Sequence, residues 1–172
     1  MFRKITGTAE SIGMKVNHAK TKLLCVADPM SFEPRGEIGE GDSLLSSGNT
    51  LKLLGFHFSE KPTVMAHVVA LLKRLRSRLW ILRHLREAGF NQTELVRVYT
   101  TIIRPVHDYM CVVFHPMMTD EQDEHVERIQ SQALKSIFGW KIPYVELRAR
   151  AGVTTLRQRR VCLLYTSPSP RD

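Results

Sequence analysis

The sequence predicts an α+β protein in which a small N-terminal antiparallel strand segment precedes a mostly α-helical bundle. Two observations carry that expectation. Residues 50–58 alternate as a strand does, with Leu51, Leu53, Gly55 and His57 on one side and Lys52, Leu54, Phe56 and Phe58 on the other. Both sides are largely apolar, which predicts burial on both faces, and Gly55 in the middle predicts a bulge or a close backbone approach. From residue 63 onward, every long apolar run instead recurs at three and four residues, the period of a helix.

The elements follow in order. Phe2, Ile5, Ala9 and Ile12 give residues 1–11 a helical period, and Gly13 stops it as a C-terminal glycine does. Residues 14–16 read as extended, residues 17–20 as a turn, and residues 22–26 as a strand. Residues 28–48 carry Gly36, Gly39, Gly41 and Gly48 with Pro29 and Pro34, the composition of a loop or ragged hairpin. Residues 63–88 form the strongest helix, its apolar face running through Val64, Val68, Leu71, Leu72, Leu75, Leu79, Leu82 and Leu85. Lys73, Arg76, Trp80 and Arg83 lie on one flank of it, because spacings of three, four and three keep them nearly in line. Such a flank serves either as a solvated surface or as a track for a nucleic-acid backbone.

Gly89 ends that helix, and Asn91 or Thr93 can cap the next. Its period runs through Leu95, Val98, Tyr99, Ile102, Val106, Tyr109, Met110 and Val113, with a break or kink expected at Pro105. His107, Cys111 and His115 are metal-ligating types at i, i+4 and i+8. Their span of about 12 Å in a straight helix is too long for one ion. Thr119 and Gln122 make a capping box for a helix that ends at Gly139. Asp120, Glu121, Asp123 and Glu124 complement its dipole. A short helix follows Pro143, and residues 154–156 open a basic one, whose Arg157-Gln158-Arg159-Arg160 reads as a charged surface.

Composition narrows the function. The 172 residues are 43% apolar, enough for one core and not plainly for two. A formal charge of +8 favours anionic partners, nucleic acid first. Cys25, Cys111 and Cys162 are far apart and form no C-x-x-C, which argues against a disulfide framework or zinc knuckle and for a reducing, intracellular setting. No apolar run approaches the roughly 20 residues of a spanning helix, so no membrane partner is expected. Phosphate-binding loops, nucleophile triads and dinucleotide fingerprints are absent from the sequence.

Four blocks then carry a resemblance. The run Gly13-Met14-Lys15-Val16-Asn17-His18-Ala19-Lys20-Thr21-Lys22 resembles the turn that follows the catalytic aspartates of reverse transcriptases from non-LTR retrotransposons. Leu53-Leu54-Gly55-Phe56 is similar to the grip segment that comes next. Residues 99–109, starting Tyr99-Thr100-Thr101, and residues 127–135, starting Glu127-Arg128-Ile129-Gln130, resemble the thumb. The likeness covers about residues 1–160, with the four blocks in the family's order.

The resemblance implies the end of a polymerase palm with its grip hairpin over residues 1–62, and a helical thumb over residues 63–161. It implies that Lys20 or Lys22 assists chemistry as an accessory group near the incoming triphosphate, with Lys20 preferred because it directly follows the turn. Leu54, Gly55 and Phe56 would press the primer end, and Lys73, Arg76, Trp80 and Arg83 would hold an RNA/DNA template–primer duplex. The parent enzyme would synthesise DNA on an RNA template with magnesium held by an Asp-Asp pair. This chain has no Asp-Asp, so no metal site and no catalysis by the chain alone are expected, the missing fingers and palm lying upstream. Residues 162–172 resemble an in-frame translation of a sequencing adapter and are expected to form a disordered tail, and the chain is expected to be truncated at both ends. A basic RNA-binding or interaction module without enzymatic role is the alternative.

Overall fold

The computed structural model describes residues 2–17, 20–22, 24, 38–40, 43–45, 50–61 and 63–166. The protein is α+β, with small antiparallel hairpins preceding a helical bundle. It divides into two compact units, Met1–Ala66 and His67–Asp172, a few residues beyond the boundary expected near residue 62. Among the described residues no helix is long and apolar enough to cross a membrane.

In the first unit α1 (Phe2–Ser11) ends at Gly13, whose φ of +76° suits a residue without Cβ. Gly13 N–H donates to Glu10 O at 3.0 Å and Met14 N–H to Ala9 O at 2.8 Å, satisfying the last carbonyls of the helix. The expected turn is held by Asn17, whose O accepts from Lys20 N–H and Thr21 N–H, both at 3.1 Å. Lys22 and Leu24 lie in irregular backbone, and the rest of the strand expected over residues 22–26 falls outside the described residues. Within the segment read as a loop or ragged hairpin, β1 (Ile38–Glu40) pairs antiparallel with β2 (Ser43–Leu45), Ile38 opposite Leu45. The other residues of that segment are not among those described.

Residues 50–58 depart from the single strand the alternation suggested. They fold into β3 (Thr50–Leu53) and β4 (Phe56–Ser59), antiparallel, with Leu51 opposite Phe58 and Leu53 opposite Phe56. Leu54 and Gly55 form the connection, both with positive φ, +49° and +88°. Positive φ at both central residues is the signature of a tight type I′ hairpin, whose twist matches that of the strands. Glycine takes this geometry freely, whereas for leucine it costs about 1 kcal/mol or more.

The two-residue turn reverses the chain, and that changes which side chains share a face. Leu51, Leu53, Phe56 and Phe58 now lie together, opposite Thr50, Lys52, His57 and Ser59. Burial on both faces is therefore corrected: one face is apolar and the other polar. Phe56 is buried and meets Phe58 edge-on at 4.8 Å, whereas Leu53 and Leu54 are exposed.

The second unit begins within α2 (Met65–Glu87), which buries Val68, Leu71, Leu75, Leu79 and Leu82 at spacings of three and four. Each such side chain contributes about 1.5–3 kcal/mol by leaving water. α3 (Gln92–Val98) starts at a capping box of Asn91 and Glu94. It runs into a π-helical turn (Tyr99–Ile103) and then α4 (Arg104–Asp108). The expected break at Pro105 is thus absorbed. Proline lacks the N–H and crowds the carbonyl four residues back, and the wider turn accommodates it, with Arg104 N–H donating to Tyr99 O. The helix breaks instead at Tyr109, which is extended, and Met110, with φ of +58°.

α5 (Cys111–Phe114) and a 3-10 turn (His115–Met117) lead to α6 (Asp120–Phe138), opened by the expected capping box of Thr119 and Gln122. α7 (Tyr144–Ala151) follows Pro143, and its Gly152, with φ of +62°, donates to Ala149 O at 3.2 Å. α8 (Leu156–Thr166) has its own capping box, Gln158 N–H to Thr155 Oγ1 at 3.1 Å and Thr155 N–H to Gln158 Oε1 at 3.2 Å. It continues past Arg160, so residues 162–166 extend a helix rather than begin the expected tail. Residues 167–172 are outside those described. α6 packs on α3, α7 and α8, which makes it the central helix of this unit.

Candidate nucleic-acid interface

The first unit holds two of the residue sets that the resemblance singled out. Lys20 and Lys22 are both exposed, Lys20 with its N–H also 3.2 Å from Asn17 Oδ1. At the hairpin tip Leu54 is exposed and Gly55 half-buried, so the turn backbone is reachable from solvent. The Phe56 side chain is not reachable. At 3% exposure it belongs to the interior, which leaves the Phe56 backbone, not its ring, for the contact the resemblance implies.

On α2 in the second unit, Lys73, Arg76, Trp80 and Arg83 are all exposed on one flank, opposite the buried leucines. The other arginines of α2 are tied to the protein. Arg74 Nε donates to Ala70 O at 3.4 Å, Arg78 Nη1 to Ile102 O at 3.0 Å and Arg86 Nη1 to Ser136 O at 2.8 Å. Trp80 meets the His84 ring edge-on at 4.9 Å.

The ion-paired carboxylates lie on other helices. Arg128 pairs with Glu124 at 2.9 Å, Arg150 with Glu146 at 2.6 Å, Arg157 with Asp120 at 3.0 Å and Arg159 with Asp108 at 3.3 Å. Among the described residues Lys73, Arg76 and Arg83 make no ion pair. Acids on α4, α6 and α7 are thus largely matched by local arginines, while the cations of the α2 flank have no ion-pair partner among the described residues.

Sequence reasoning missed the buried polar centre. Arg160, 1% exposed, donates through Nη1 to His107 Nε2 at 2.8 Å, through Nε to His115 Nδ1 at 3.2 Å, and through Nη2 to Asp123. The reading of residues 157–160 as a charged surface is therefore corrected at Arg160, whose three acceptors draw it inward. An arginine cannot donate to a protonated ring nitrogen, so both histidines are neutral, with His107 Nδ1–H donating to Asp108 Oδ1 at 3.2 Å.

Burial lowers the pKa of His107, aided by Arg160 and opposed by Asp108 and Glu127. Burial and Arg160 lower that of His115, with Arg157 acting the same way and Asp123 opposing. For Asp108 burial pulls upward, but the His107 hydrogen bond and Arg159 outweigh it and the net shift is down. Burial raises the Cys111 thiol. His107 and His115 thus face a guanidinium rather than a shared ion, and among the described residues no group of three or more His, Cys, Asp or Glu could hold a metal.

These shifts make the fold acid-sensitive. An unfolded histidine takes its proton near pH 6.5, before the folded ones do. Stability is therefore fully present above about pH 6.5 and is lost as pH falls below it, with the Asp108 contribution following below about pH 4. Urea midpoints should fall from about pH 7.5 to about pH 5.5, and fall less in His115→Gln, whose amide oxygen still accepts from Arg160. Identical slopes in the two proteins would remove His115 from the explanation.

A magnesium pair of the kind the resemblance implies for the parent does not fit the described acids. Asp120 and Asp123 oxygens are engaged by Arg157 and Arg160, and the Glu124 carboxylate by Arg128. Comparison with protein-family models, curated proteins and solved structures gives no match for this chain.

Proposed function

We propose that the chain is the palm end and thumb of a reverse transcriptase of the non-LTR retrotransposon kind, and that it grips an RNA/DNA template–primer duplex without catalysing synthesis itself. The observation that carries this is the flank of Lys73, Arg76, Trp80 and Arg83, exposed together and free of carboxylate partners among the described residues. Three cations along one helix face track a phosphate backbone, because each neutralised phosphate releases condensed counterions. The four sequence blocks supply the family. The exposed turn at Leu54 and Gly55 suits backbone contact with a primer end, and exposed Lys20 and Lys22 suit a triphosphate or its metal-bound form. With no Asp-Asp in the chain, templated synthesis would need carboxylates from a longer polypeptide.

The test is charge reversal. Lys73→Glu/Arg76→Glu/Arg83→Glu should weaken binding of a short RNA–DNA hybrid by roughly tenfold or more near physiological salt. Arg128→Glu/Arg150→Glu, which removes equally exposed but locally paired cations, should change it by no more than about twofold. Equal losses in both variants would mean binding follows net charge alone and would overturn the assignment to α2.

A further inference from the structure

α6 ends at Gly139 with φ of +118° and ψ of 158°, a conformation essentially confined to glycine. The chain leaves the helix sharply there, and Trp140 remains 66% exposed. It borders a recess lined by Arg83, Arg86, Glu87, Ser136 and Trp140. Arg86 is fixed across this recess by its hydrogen bond to Ser136 O at 2.8 Å, and Lys135 Nζ stands 5.9 Å from the centre of the Trp140 ring. Arg83 brings a cation without an ion-pair partner among the described residues. A flat aromatic ring and two guanidinium groups thus line one hollow, with Glu87 as its carboxylate, while the Lys135 ammonium stands over the indole outside that lining.

That set of groups fits a nucleotide whose base is unpaired. A base within a duplex has both faces covered by its neighbours, whereas a free base can stack on an indole and leave its phosphate to nearby cations. The Glu87 carboxylate can accept from a base N–H, such as the N3–H of uracil. Arg83 also belongs to the α2 flank, so a strand held there as duplex would meet this recess where pairing ends.

We propose that the recess binds an unpaired nucleotide of single-stranded nucleic acid, its base stacked on Trp140 and its phosphate between Arg83 and Arg86. The position of this strand relative to a duplex rests on the function proposed above; the stacking site itself is tested separately. The chain has two tryptophans, so in Trp80→Phe the remaining indole emission is that of Trp140. Titration of that variant with a short oligouridylate should quench the emission to saturation. In the otherwise wild-type chain, Trp140→Ala should weaken oligouridylate binding by about 5- to 150-fold, the range for loss of one base–aromatic stack. It should leave the affinity for a hybrid duplex without overhangs within about twofold.

Unchanged emission, or oligouridylate binding indifferent to Trp140→Ala, overturns the stacking site whatever the duplex does. Trp140-dependent binding of oligouridylate with no duplex binding upholds the site and removes the duplex reading instead. Circular dichroism of Trp140→Ala separates either result from misfolding.

Discussion

Replacing Arg160 with methionine is expected to lower the unfolding free energy of the helical unit by about 3–5 kcal/mol, the usual cost of removing one member of a buried ion pair. Three acceptors converge on this one side chain: His107, His115 and Asp123. Burial lowers the guanidinium pKa and Asp123 opposes that shift, so the pair is what keeps the charge tolerable inside. With methionine present, the Asp123 carboxylate, 15% exposed, keeps only the longer 3.6 Å contact to Arg157, and His107 Nε2 faces a hydrocarbon. Arg160→Lys restores charge without the planar fork that reaches three directions, so it should recover only part of the loss. Urea denaturation followed at the helical signal measures both. A loss below about 1 kcal/mol for methionine would mean that Arg160 is not the hub that docks α8.

The second large effect is expected at Gln130, 1% exposed. Tyr99 Oη donates to its Oε1 at 2.6 Å, and its Nε2 donates to Tyr144 Oη at 2.8 Å and to Thr154 O at 2.9 Å. Tyr144 in turn donates to Glu127, whose other oxygen accepts from Leu156 N–H at 2.9 Å at the start of α8. Burial raises the pKa of both phenols, and for Tyr144 the hydrogen bond to Glu127 adds to it, so both stay protonated donors at neutral pH. Gln130→Leu keeps most of the volume and strands the Tyr99 hydroxyl and the Thr154 carbonyl. At about 1–3 kcal/mol for each stranded group, a loss of about 2–6 kcal/mol is expected. Adding Tyr99→Phe removes one stranded donor, so the double variant should be less destabilised than the sum of the singles. Strict additivity would break the proposed link between them.

Where the sequence was legible, local chemistry decided the structure. The capping box at Thr119, the stops at Gly13 and Gly139, and the leucine face of α2 each depend on residues within a turn or two of one another. Other features depended on more. The buried positions Leu95, Tyr99, Ile103, His107 and Cys111 are spaced by four, which on a regular helix drifts by about 40° per step. The π-helical turn takes up that drift, and so the buried face passes to Ile103 and His107 while Ile102 and Tyr109 remain exposed.

Residues 50–58 failed for a similar reason. Alternation alone cannot show a reversal when leucine occupies a turn position that Asn or Asp usually fills. The Arg160 cluster was hidden because its members lie up to 53 residues apart in the chain. Of the proposed interface, sequence spacing put Lys73, Arg76, Trp80 and Arg83 on one flank, but that the three cations have no ion-pair partner among the described residues is tertiary information. The Trp140 recess is tertiary too, since Arg83 and Trp140 sit on different elements.

Duplex contact through α2 is tested most directly by salt dependence. The slope of log K against log salt for an RNA–DNA hybrid should become shallower by roughly 2–3 when Lys73, Arg76 and Arg83 are replaced by glutamine, about one unit for each lost phosphate contact. Parallel slopes for the wild-type and glutamine proteins would contradict it.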